Sequence, residues 1–530
     1  MPDFDADVVV VGSGALGAQV AYEIAHAGKS VIILEAGPNT PDWRLTENFR
    51  VSPRKDNLSD PFGSLDYAPN SWTPGYVSAD IDADTIPGTI RSVGGTARHW
   101  TGVAWRLLPE EMKMRSTFGV GRDWPFGYDV LEPFYTAADY QIGVAGLTEN
   151  DDSGRNLGHT YPPRSKPYPL PPEAKPYFIQ RFQMRTAARG YITQQMPGAR
   201  VTEPYDGRPA CIGNNICNPN CPIGAKYSGQ KAVERAVKAG AQLRHDAIVD
   251  TIAVDGRGRI TSISYQSPTG VRSTLTARRY VIAGHGFETP KLLMMNGLAG
   301  RTGLLGRNMM IHPSLNMSFF ADEPVWTGRG QAVHGAMVQR RLMKDRGETA
   351  GGFYQFVNSS PVADVAADIL KEGRLVGAAF DEELRRRASQ VINIQILLED
   401  LPVPDNGIAL NPGWKDRLGL PGLRLRYRIP DYAKAALPRT IADYANWVQA
   451  MGGTPRQVPG QWTVQHHIMG TTIMGDDPDT SIVDADLRSH DHDNLFLVTT
   501  GVFPSASCVN PTLTGIALAI RAGRHIAGEV

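Results

Sequence analysis

Apolar residues in the first 35 positions follow the pattern of a buried strand, a helix and a second buried strand. Residues 7–11 form a short β-branched run, which is typical of a strand inside a parallel sheet. The segment AQVAYEIAHAG that follows has helical periodicity and ends at Gly28. A second strand is predicted over residues 30–34. The pattern therefore predicts a βαβ unit at the start of the chain.

Shorter apolar runs continue along the rest of the chain. Strands are predicted over residues 242–254, 260–265, 280–283 and 495–499, and helices over 289–296, near 362–389 and 433–451, and from Pro511. Residues 300–460 alternate strands with loops, which predicts a sheet-based region. Residues 36–90 and 145–175 are proline-rich or weakly periodic, so we expect loops or a lid from the first and a surface excursion from the second.

The composition is that of a globular protein large enough to bury a core without disulfides. Its 530 residues are 42% hydrophobic and 20% charged, with 54 basic and 54 acidic residues. This balance gives no reason to expect a nucleic-acid partner or an anionic membrane surface. We find no apolar run long enough for a membrane span and no export signal at the start. Export as a passenger on a partner subunit stays open.

The turn between the first strand and the first helix has the spacing of a nucleotide-binding loop. It reads GSGALG at residues 12–17, and Glu35 follows the second strand. Gly12 permits the tight turn, Gly14 lets the backbone approach a pyrophosphate, and Gly17 lets helix and strand pack closely. The helix N-terminus offers free N–H groups to an anion. Glu35 would bind a ribose and repel the extra phosphate of NADP, so the loop predicts FAD or NAD.

Two histidines and an asparagine near the C-terminus are candidates for chemistry. His466 and His467 lie side by side in HHIMGTTIMG, and Asn510 and Pro511 precede the last helix. The structural alternatives are a histidine pair in a core strand and an asparagine that caps a helix beginning with proline. Alternation along a strand places His466 on the face opposite His467.

The motifs taken together resemble one family of flavoenzymes. GSGALG with Glu35, GGTARHW at 94–100, HIMGTTIMG at 467–475 and VNPTLT at 509–514 resemble the glucose–methanol–choline (GMC) oxidoreductases, which use flavin to oxidise alcohols and sugars. Stretches such as YDGRPACIGNNICNPNCPIG are similar to the large, catalytic subunits of bacterial sugar and polyol dehydrogenases of the fructose, glucose, gluconate and sorbitol type. The match spans essentially the whole chain.

The resemblance implies an α/β fold (α+β overall), with a Rossmann-like FAD-binding domain of discontinuous segments and an inserted antiparallel-sheet substrate domain. The predicted FAD-binding segments are 1–45, 85–110, 200–310 (with a cysteine-rich loop at 205–230) and 462–530, and the substrate and lid segments are 46–84, 111–199 and 311–461. The implied FAD contacts are Gly12, Gly14, Gly17, Glu35, Gly94, Gly95, His99, Thr101, Val249, Gly501, Val502 and Thr512. A cleft is expected where the two domains meet.

Carried over residue by residue, the resemblance makes His467 the general base and Asn510 the residue that fixes the substrate hydroxyl. A hydride would leave a substrate carbon for flavin N5, while a neutral imidazole takes the hydroxyl proton. The last helix would direct its positive end at the flavin. His99 matches the position at which some members attach the flavin covalently, and a packing role beside the ring is the alternative. Trp100 and Thr500-Gly501 depart from the family's usual residues.

Cys211, Cys217 and Cys221 lie in one short segment and cannot all pair with one another. Their spacing lacks a CxxC pair, and a zinc site would need a fourth ligand such as His245. Structural or free thiols are a second alternative. The resemblance favours an iron–sulfur centre, whose normal ligands are thiolates. With three thiolates, a [3Fe-4S] cluster fits better than a four-iron cluster.

The predicted function is FAD-dependent oxidation of a hydroxyl group of a sugar, sugar acid or polyol. Electrons would leave through the iron–sulfur cluster to a cytochrome c or quinone acceptor. The alternatives are a sugar oxidase that produces hydrogen peroxide and a flavin-binding subunit without catalysis. The resemblance implies a small subunit and a cytochrome c subunit as partners, and a periplasmic, membrane-associated location through them, with a cytoplasmic location as the alternative.

Overall fold

The computed structural model describes residues 4–52, 61–373 and 375–530. The strands in this part are β1 (Ala6–Val11), β2 (Val31–Leu34), β3 (Val77–Ile81), β4 (Gln242–Arg244), β5 (Ile248–Val254), β6 (Ile260–Gln266), β7 (Arg272–Leu275), β8 (Ala277–Ile282), β9 (Pro313–Phe320), β10 (Val333–Met337), β11 (Gly352–Val357), β12 (Val391–Leu398), β13 (Gly407–Lys415), β14 (Pro421–Tyr427), β15 (Thr454–Gln457), β16 (Trp462–Val464) and β17 (Leu495–Leu497). The helices are α1 (Ala15–His26), α2 (Asp42–Val51), α3 (Met114–Phe118), α4 (Tyr128–Ile142), α5 (Tyr177–Thr186), α6 (Gly229–Lys238), α7 (His285–Met295), α8 (Val362–Glu372), α9 (Gly377–Gln390), α10 (Asp431–Lys434), α11 (Leu437–Ala450) and α12 (Thr512–Glu529).

A five-stranded parallel sheet is built around the N-terminal βαβ unit, in the order β17–β8–β1–β2–β4. Val9 of β1 lies in register with Ile32 of β2 and Tyr280 of β8, and all three side chains are buried. Helix α1 packs against α6 and α12. Because the strands are parallel, the carboxyl ends of β1, β2, β8 and β17 meet at one edge of the sheet, where α/β proteins bind ligands.

A six-stranded antiparallel sheet has the order β10–β11–β12–β9–β15, and β16 also pairs with β9. Its strands have one apolar face: Leu315, Met317 and Phe319 of β9 pack with Ile394 and Ile396 of β12 in a second hydrophobic core. Side chains alternate along a strand, so the residues between them lie on the other face. Two three-stranded sheets, β13–β14–β3 and β5–β6–β7, complete the described strands.

The predicted α/β class, with a parallel and an antiparallel sheet, is confirmed. The single strand predicted over 242–254 is wrong, because a turn separates β4 from β5 and the two strands join different sheets. Helix α7 begins at His285, earlier than predicted. The predicted loop region 36–90 contains α2 and β3, and its residues 53–60 lie outside the described part. The division into two domains stays a prediction. No helix among the described residues is long and apolar enough to cross a membrane.

A fully buried network of two arginines and two glutamates stabilises the region beside the antiparallel sheet. Arg341 Nη2 lies 2.8 Å from Glu111 Oε2, and Arg346 Nη2 lies 2.7 Å from Glu399 Oε1. The Glu111 carbonyl accepts a hydrogen bond of 3.0 Å from Ser505 Oγ. Through this hydrogen bond the network holds the segment around Ser505, which leads to Asn510 of the predicted site.

We expect Arg346→Met to lower the free energy of unfolding by about 3–5 kcal/mol, because Glu399 would be left charged and buried without its cation. The matched control is Arg385→Met, since Arg385 is 77% exposed and pairs with Asp381 on the surface; because water screens this pair, its loss should leave the melting temperature nearly unchanged. Thermal unfolding of the two variants measures the difference. Equal melting temperatures would contradict a stabilising role for the buried pair.

Candidate active site

A cavity of about 820 Å³ lies between the parallel and the antiparallel sheet. Residues at or just beyond the carboxyl ends of β1, β2, β8 and β17 line one side, and side chains of β9, β11 and β12 line the other. The segment that follows β16 also reaches the cavity. Its volume is in the range of cofactor and ligand sites, and it lies where open α/β sheets bind ligands.

Three glycines of the loop after β1 have three different steric roles. Gly12 has φ +101°, and a Cβ there would lie 2.5 Å from the Ala283 carbonyl oxygen. A Cβ on Gly17 would lie 2.1 Å from the Gly12 oxygen, so both positions require glycine for packing. A Cβ on Gly14 would meet no protein atom within 4 Å, and Gly14 lines the cavity. The loop thus leaves open space where a pyrophosphate would approach the backbone.

Glu35 is buried at the end of β2 and holds the loop in place. Its Oε2 accepts hydrogen bonds from Ser13 N (3.0 Å) and Ser13 Oγ (2.7 Å), and its Oε1 accepts one from Gly37 N (2.9 Å). Burial raises the pKa of Glu35, while these three donors oppose the shift. Glu35 also lines the cavity, as a residue that binds a ribose should. Glu35 therefore supports the loop as well as facing the nucleotide position.

The other predicted cofactor contacts divide into two groups. Those that line the cavity are Gly95, His99, Thr101, Val249 and Thr512, besides Gly12, Gly14 and Glu35. Those that are not part of the lining are Gly17, Gly94, Gly501 and Val502. Gly94 forms an isolated β-bridge with Gly14, and Gly501 packs against the Thr471 hydroxyl, which is 2.7 Å from the position of a Cβ. The residues of the second group therefore pack behind the residues that line the cavity.

His467 is held between two side chains that come from distant parts of the chain. Its Nδ1 lies 2.9 Å from Nδ1 of His312, which immediately precedes β9. Its Nε2 lies 3.2 Å from Nδ2 of Asn510, just before α12. The structure therefore brings together the two predicted catalytic residues and adds a histidine that the sequence analysis did not identify.

Hydrogen-bond directions fix the tautomers of the two histidines. The Ala506 carbonyl, which only accepts, lies 3.5 Å from His312 Nε2, so this nitrogen carries the proton and Nδ1 of His312 is an acceptor. His467 must then donate from Nδ1, which leaves the lone pair on its Nε2. Burial, with His312 and His466 nearby, lowers the pKa of His467 well below its usual value, and burial lowers the pKa of His312 to about 4. Both rings are neutral at neutral pH.

Asn510 is not a helix cap. The first residue of α12 is Thr512, its N-terminal flanking residue is Pro511, and no side chain caps it. Asn510 Nδ2 contacts His467 instead, and its buried Oδ1 has no hydrogen-bond partner among the described residues. An unpaired buried acceptor is costly, so this oxygen is available to a ligand hydroxyl. The capping alternative is therefore wrong.

His466 lines the same cavity as His467, so its predicted position on an opposite strand face is wrong. The reason is that β16 ends at Val464, before either histidine. The His466 ring lies near His99 and Trp72, with centroid distances of 5.8 and 6.1 Å. Nδ1 of His99 is buried without a partner in the described part of the chain. A covalent link from His99 to the flavin stays a prediction.

The sequence analysis missed His312 and a row of amides, Asn316, Gln355 and Gln395, that lines the cavity. A weak signal for the amides is present in the sequence: β9 reads PSLNMSFF and β12 reads VINIQILL, where polar residues alternate with apolar ones. His312 has no such signal. Its role depends on a contact with His467, 155 positions away in the chain.

The three clustered cysteines are free thiols, and Lys226 joins their segment to the loop that carries His99 through the Trp100 carbonyl. Cys211 Sγ lies 3.7 Å from Gln331 Nε2, and Cys211 and Cys221 pack against a small apolar cluster. The Cys217 carbonyl accepts a hydrogen bond of 2.6 Å from the buried Lys226 ammonium. Within the described ranges, no three His, Cys, Asp or Glu side chains are grouped as metal ligands. The structure therefore does not support the predicted [3Fe-4S] ligand set or a zinc site.

Three family models match the chain. A model described as "GMC oxidoreductase" matches residues 189–314, a second with that description matches residues 402–519, and "FAD binding domain" matches residues 7–45. The chain is 37% identical to the fructose dehydrogenase large subunit of Gluconobacter japonicus, over 99% of this chain and 98% of the relative. It is 26% identical to the gluconate 2-dehydrogenase flavoprotein of Pantoea cypripedii, over 96% and 91% of the two chains.

A solved structure, pyridoxine 4-oxidase from "Mesorbium loti", has the same fold. It superposes with a TM-score of 0.62 over 98% of this chain and 99% of the other, at 18% sequence identity. At this identity the likeness concerns the fold alone. The family assignment therefore comes from the family models and the relatives, and not from this structure.

Proposed function

The chain belongs to the GMC oxidoreductase family and is an FAD-dependent oxidoreductase, and from this we propose that it oxidises a hydroxyl group of a sugar, sugar acid or polyol. One observation carries the proposal: His467, whose Nε2 bears the lone pair and accepts a hydrogen bond from Asn510 Nδ2, lines the same cavity as the nucleotide-binding loop. A base and a hydride acceptor would therefore share one enclosed space, as the oxidation of an alcohol requires.

The cavity fits FAD on three observations. Gly14 leaves unfilled space at the N-terminus of α1, Glu35 faces the cavity from the end of β2, and Thr512 brings the N-terminus of α12 to its wall. Free N–H groups and the partial positive charge of a helix N-terminus favour a pyrophosphate or an anionic ring. When bound, FAD supplies the acceptor for the hydride.

His467 and Asn510 divide the handling of the substrate hydroxyl between them. Nε2 of His467 takes the hydroxyl proton, because its tautomer leaves the lone pair on that atom. The unpaired Oδ1 of Asn510 accepts from a substrate hydroxyl, and its Nδ2 donates to Nε2 of His467, a hydrogen bond that the reacting hydroxyl replaces. His312 stabilises the imidazolium that forms, since it accepts from Nδ1 of His467 throughout.

Anaerobic mixing of the FAD-loaded protein with D-fructose, D-glucose, D-sorbitol and D-gluconate tests the proposal. At least one of them should bleach the flavin absorbance, with a rate that depends on its concentration. Air-saturated turnover with a peroxide assay separates a dehydrogenase from the oxidase alternative. Stoichiometric hydrogen peroxide would favour the oxidase, and no bleaching by any sugar or polyol would refute the proposed reaction.

We expect the rate of flavin reduction to be flat from pH 8 to about 6.5 and to fall only at more acidic pH. The base is active when neutral, and burial lowers the pKa of His467 well below its ordinary value, so a lower pH is needed to protonate it. Stopped-flow reduction across pH 4–9 measures this dependence. An acid limb centred near the ordinary value of about 6.5 would contradict it.

The acceptor, the partners and the location form the last part of the proposal. We propose that a partner subunit accepts the electrons, that a small subunit and a cytochrome c complete the complex, and that the complex is periplasmic and membrane-associated. The support is the likeness to a protein named a large subunit. An iron assay and an EPR spectrum of the purified chain test the separate [3Fe-4S] prediction. Absence of iron from the catalytically active protein would refute it.

A further inference from the structure

The cavity-facing side of the antiparallel sheet carries a row of three amide side chains. Gln355 of β11, Gln395 of β12 and Asn316 of β9 are direct cross-strand partners, so they stand side by side across three strands. All three line the cavity, opposite the nucleotide-binding loop. We call this set the amide ladder.

The amides of the ladder are hydrogen-bonded to one another in a single direction. Gln355 Nε2 donates to Gln395 Oε1 at 2.7 Å, and Gln395 Nε2 donates to Asn316 Oδ1 at 2.7 Å. Asn316 Nδ2 lies 3.5 Å from Thr463 Oγ1 on β16, a long contact that ends the row. The ladder is thus fixed by its own bonds before any ligand binds, which lowers the entropy lost on binding.

The amides of the ladder keep some hydrogen-bond donors and acceptors that are not used within the row. A carboxamide has two N–H donors and an oxygen with two lone pairs. Gln395, in the middle, uses one donor and one lone pair within the row, so one of each remains. A donor and an acceptor on the same amide complement a hydroxyl group, which both donates and accepts.

One end of the ladder lies on β9, which with its partner strand β16 positions the two hydrogen-bonded histidines. His312 immediately precedes β9, and Thr463 of β16 is followed by His467 four positions later. Neighbouring strands lie about 4.8 Å apart, so successive amides present their free groups at that interval. A ligand that extends from His467 along the sheet would therefore contact the amides of Asn316, Gln395 and Gln355 in turn.

We propose that the amide ladder binds the non-reacting hydroxyl groups of a polyhydroxylated substrate, and that it selects such substrates against alcohols with a single hydroxyl group. This inference rests on the proposed function, since it names the part of the cavity that holds the rest of the molecule while one hydroxyl reacts. An apolar chain against the ladder would leave buried donors and acceptors without partners, which costs more than a lost contact.

Gln395→Leu tests the ladder, because it removes the central amide and both of its bonds. The matched control is Asn393→Leu on the same strand and face, since Asn393 pairs with Ser318 and does not line the cavity. The probes are D-fructose, D-glucose, D-sorbitol and D-gluconate, with cyclohexanol as the single-hydroxyl probe. For a probe that reduces the flavin, the dissociation constant comes from the concentration dependence of the anaerobic reduction rate, and for a probe that does not, it comes from the change in flavin absorbance on titration. Gln355→Leu, at the end of the row, replaces Gln395→Leu if the latter does not fold.

The wild type should bind at least one polyhydroxylated probe more tightly than cyclohexanol. Gln395→Leu should reduce that preference about tenfold or more, whereas Asn393→Leu should keep it. An unchanged preference in Gln395→Leu, or a wild type that prefers cyclohexanol or binds none of the polyhydroxylated probes, would overturn the inference. If the probes bind but none reduces the flavin, the proposed reaction fails while the binding constants still decide the role of the ladder.

Discussion

His467→Ala is expected to slow reduction of the bound flavin by about 10²–10⁴-fold, the usual contribution of a general base. The reason lies in three observations: the ring donates to His312 from Nδ1, its Nε2 accepts from Asn510 Nδ2, and His467 lines the cavity. An alanine leaves the hydroxyl proton without an acceptor. Single-turnover stopped-flow measurements with a sugar that reduces the wild type give the rate directly.

Two further variants make the His467 result decisive. His525→Ala removes an imidazole on α12 that pairs with Glu529 and is not part of the cavity lining, so it should leave the rate unchanged. His466→Ala tests whether the neighbouring imidazole acts as the base instead, since His466 also lines the cavity. A loss below tenfold in His467→Ala, or a larger loss in His466→Ala, would refute the assignment. FAD content of each variant shows that the cofactor is still bound.

Gly14→Val is expected to yield a folded protein without FAD. A Cβ at this position meets no protein atom within 4 Å, so the chain tolerates the side chain, but the added atoms occupy the cavity where a pyrophosphate would approach. The ratio of flavin to protein absorbance after purification measures the loss, and circular dichroism or thermal unfolding reports the fold. A flavin content equal to that of the wild type would refute the placement of the nucleotide.

Gly300→Val and Gly17→Val are the two controls for that experiment. Gly300 is exposed, and a Cβ there also meets nothing within 4 Å, but it lies outside the cavity lining, so this variant should keep both fold and FAD. A Cβ on Gly17 would lie 2.1 Å from the Gly12 oxygen, a backbone atom that cannot move aside cheaply. Gly17→Val should therefore lose the fold of the loop as well as the cofactor.

Features encoded within one short stretch of chain could be predicted from the sequence. The βαβ unit, the glycines at 12, 14 and 17, and the acid at 35 follow from the spacing within one strand–turn–helix segment, because strand and helix geometry fix where such neighbours lie. Several boundaries could not be predicted. The stretch 242–254 has the apolar pattern of one strand, and only its pairing with different sheets divides it into β4 and β5.

The candidate site also contains some features that the sequence predicts and others that depend on the tertiary structure. The sequence by itself, through its motifs, predicted His467, Asn510 and the nucleotide-binding loop as parts of the site. Only the tertiary structure decided that His312 fixes the tautomer of His467, that Asn510 does not cap α12, and that three amides on separate strands form one ladder. The physical reason is that these contacts join residues 40 to 155 positions apart in the chain. Their distances depend on strand register and sheet packing, which no local spacing encodes.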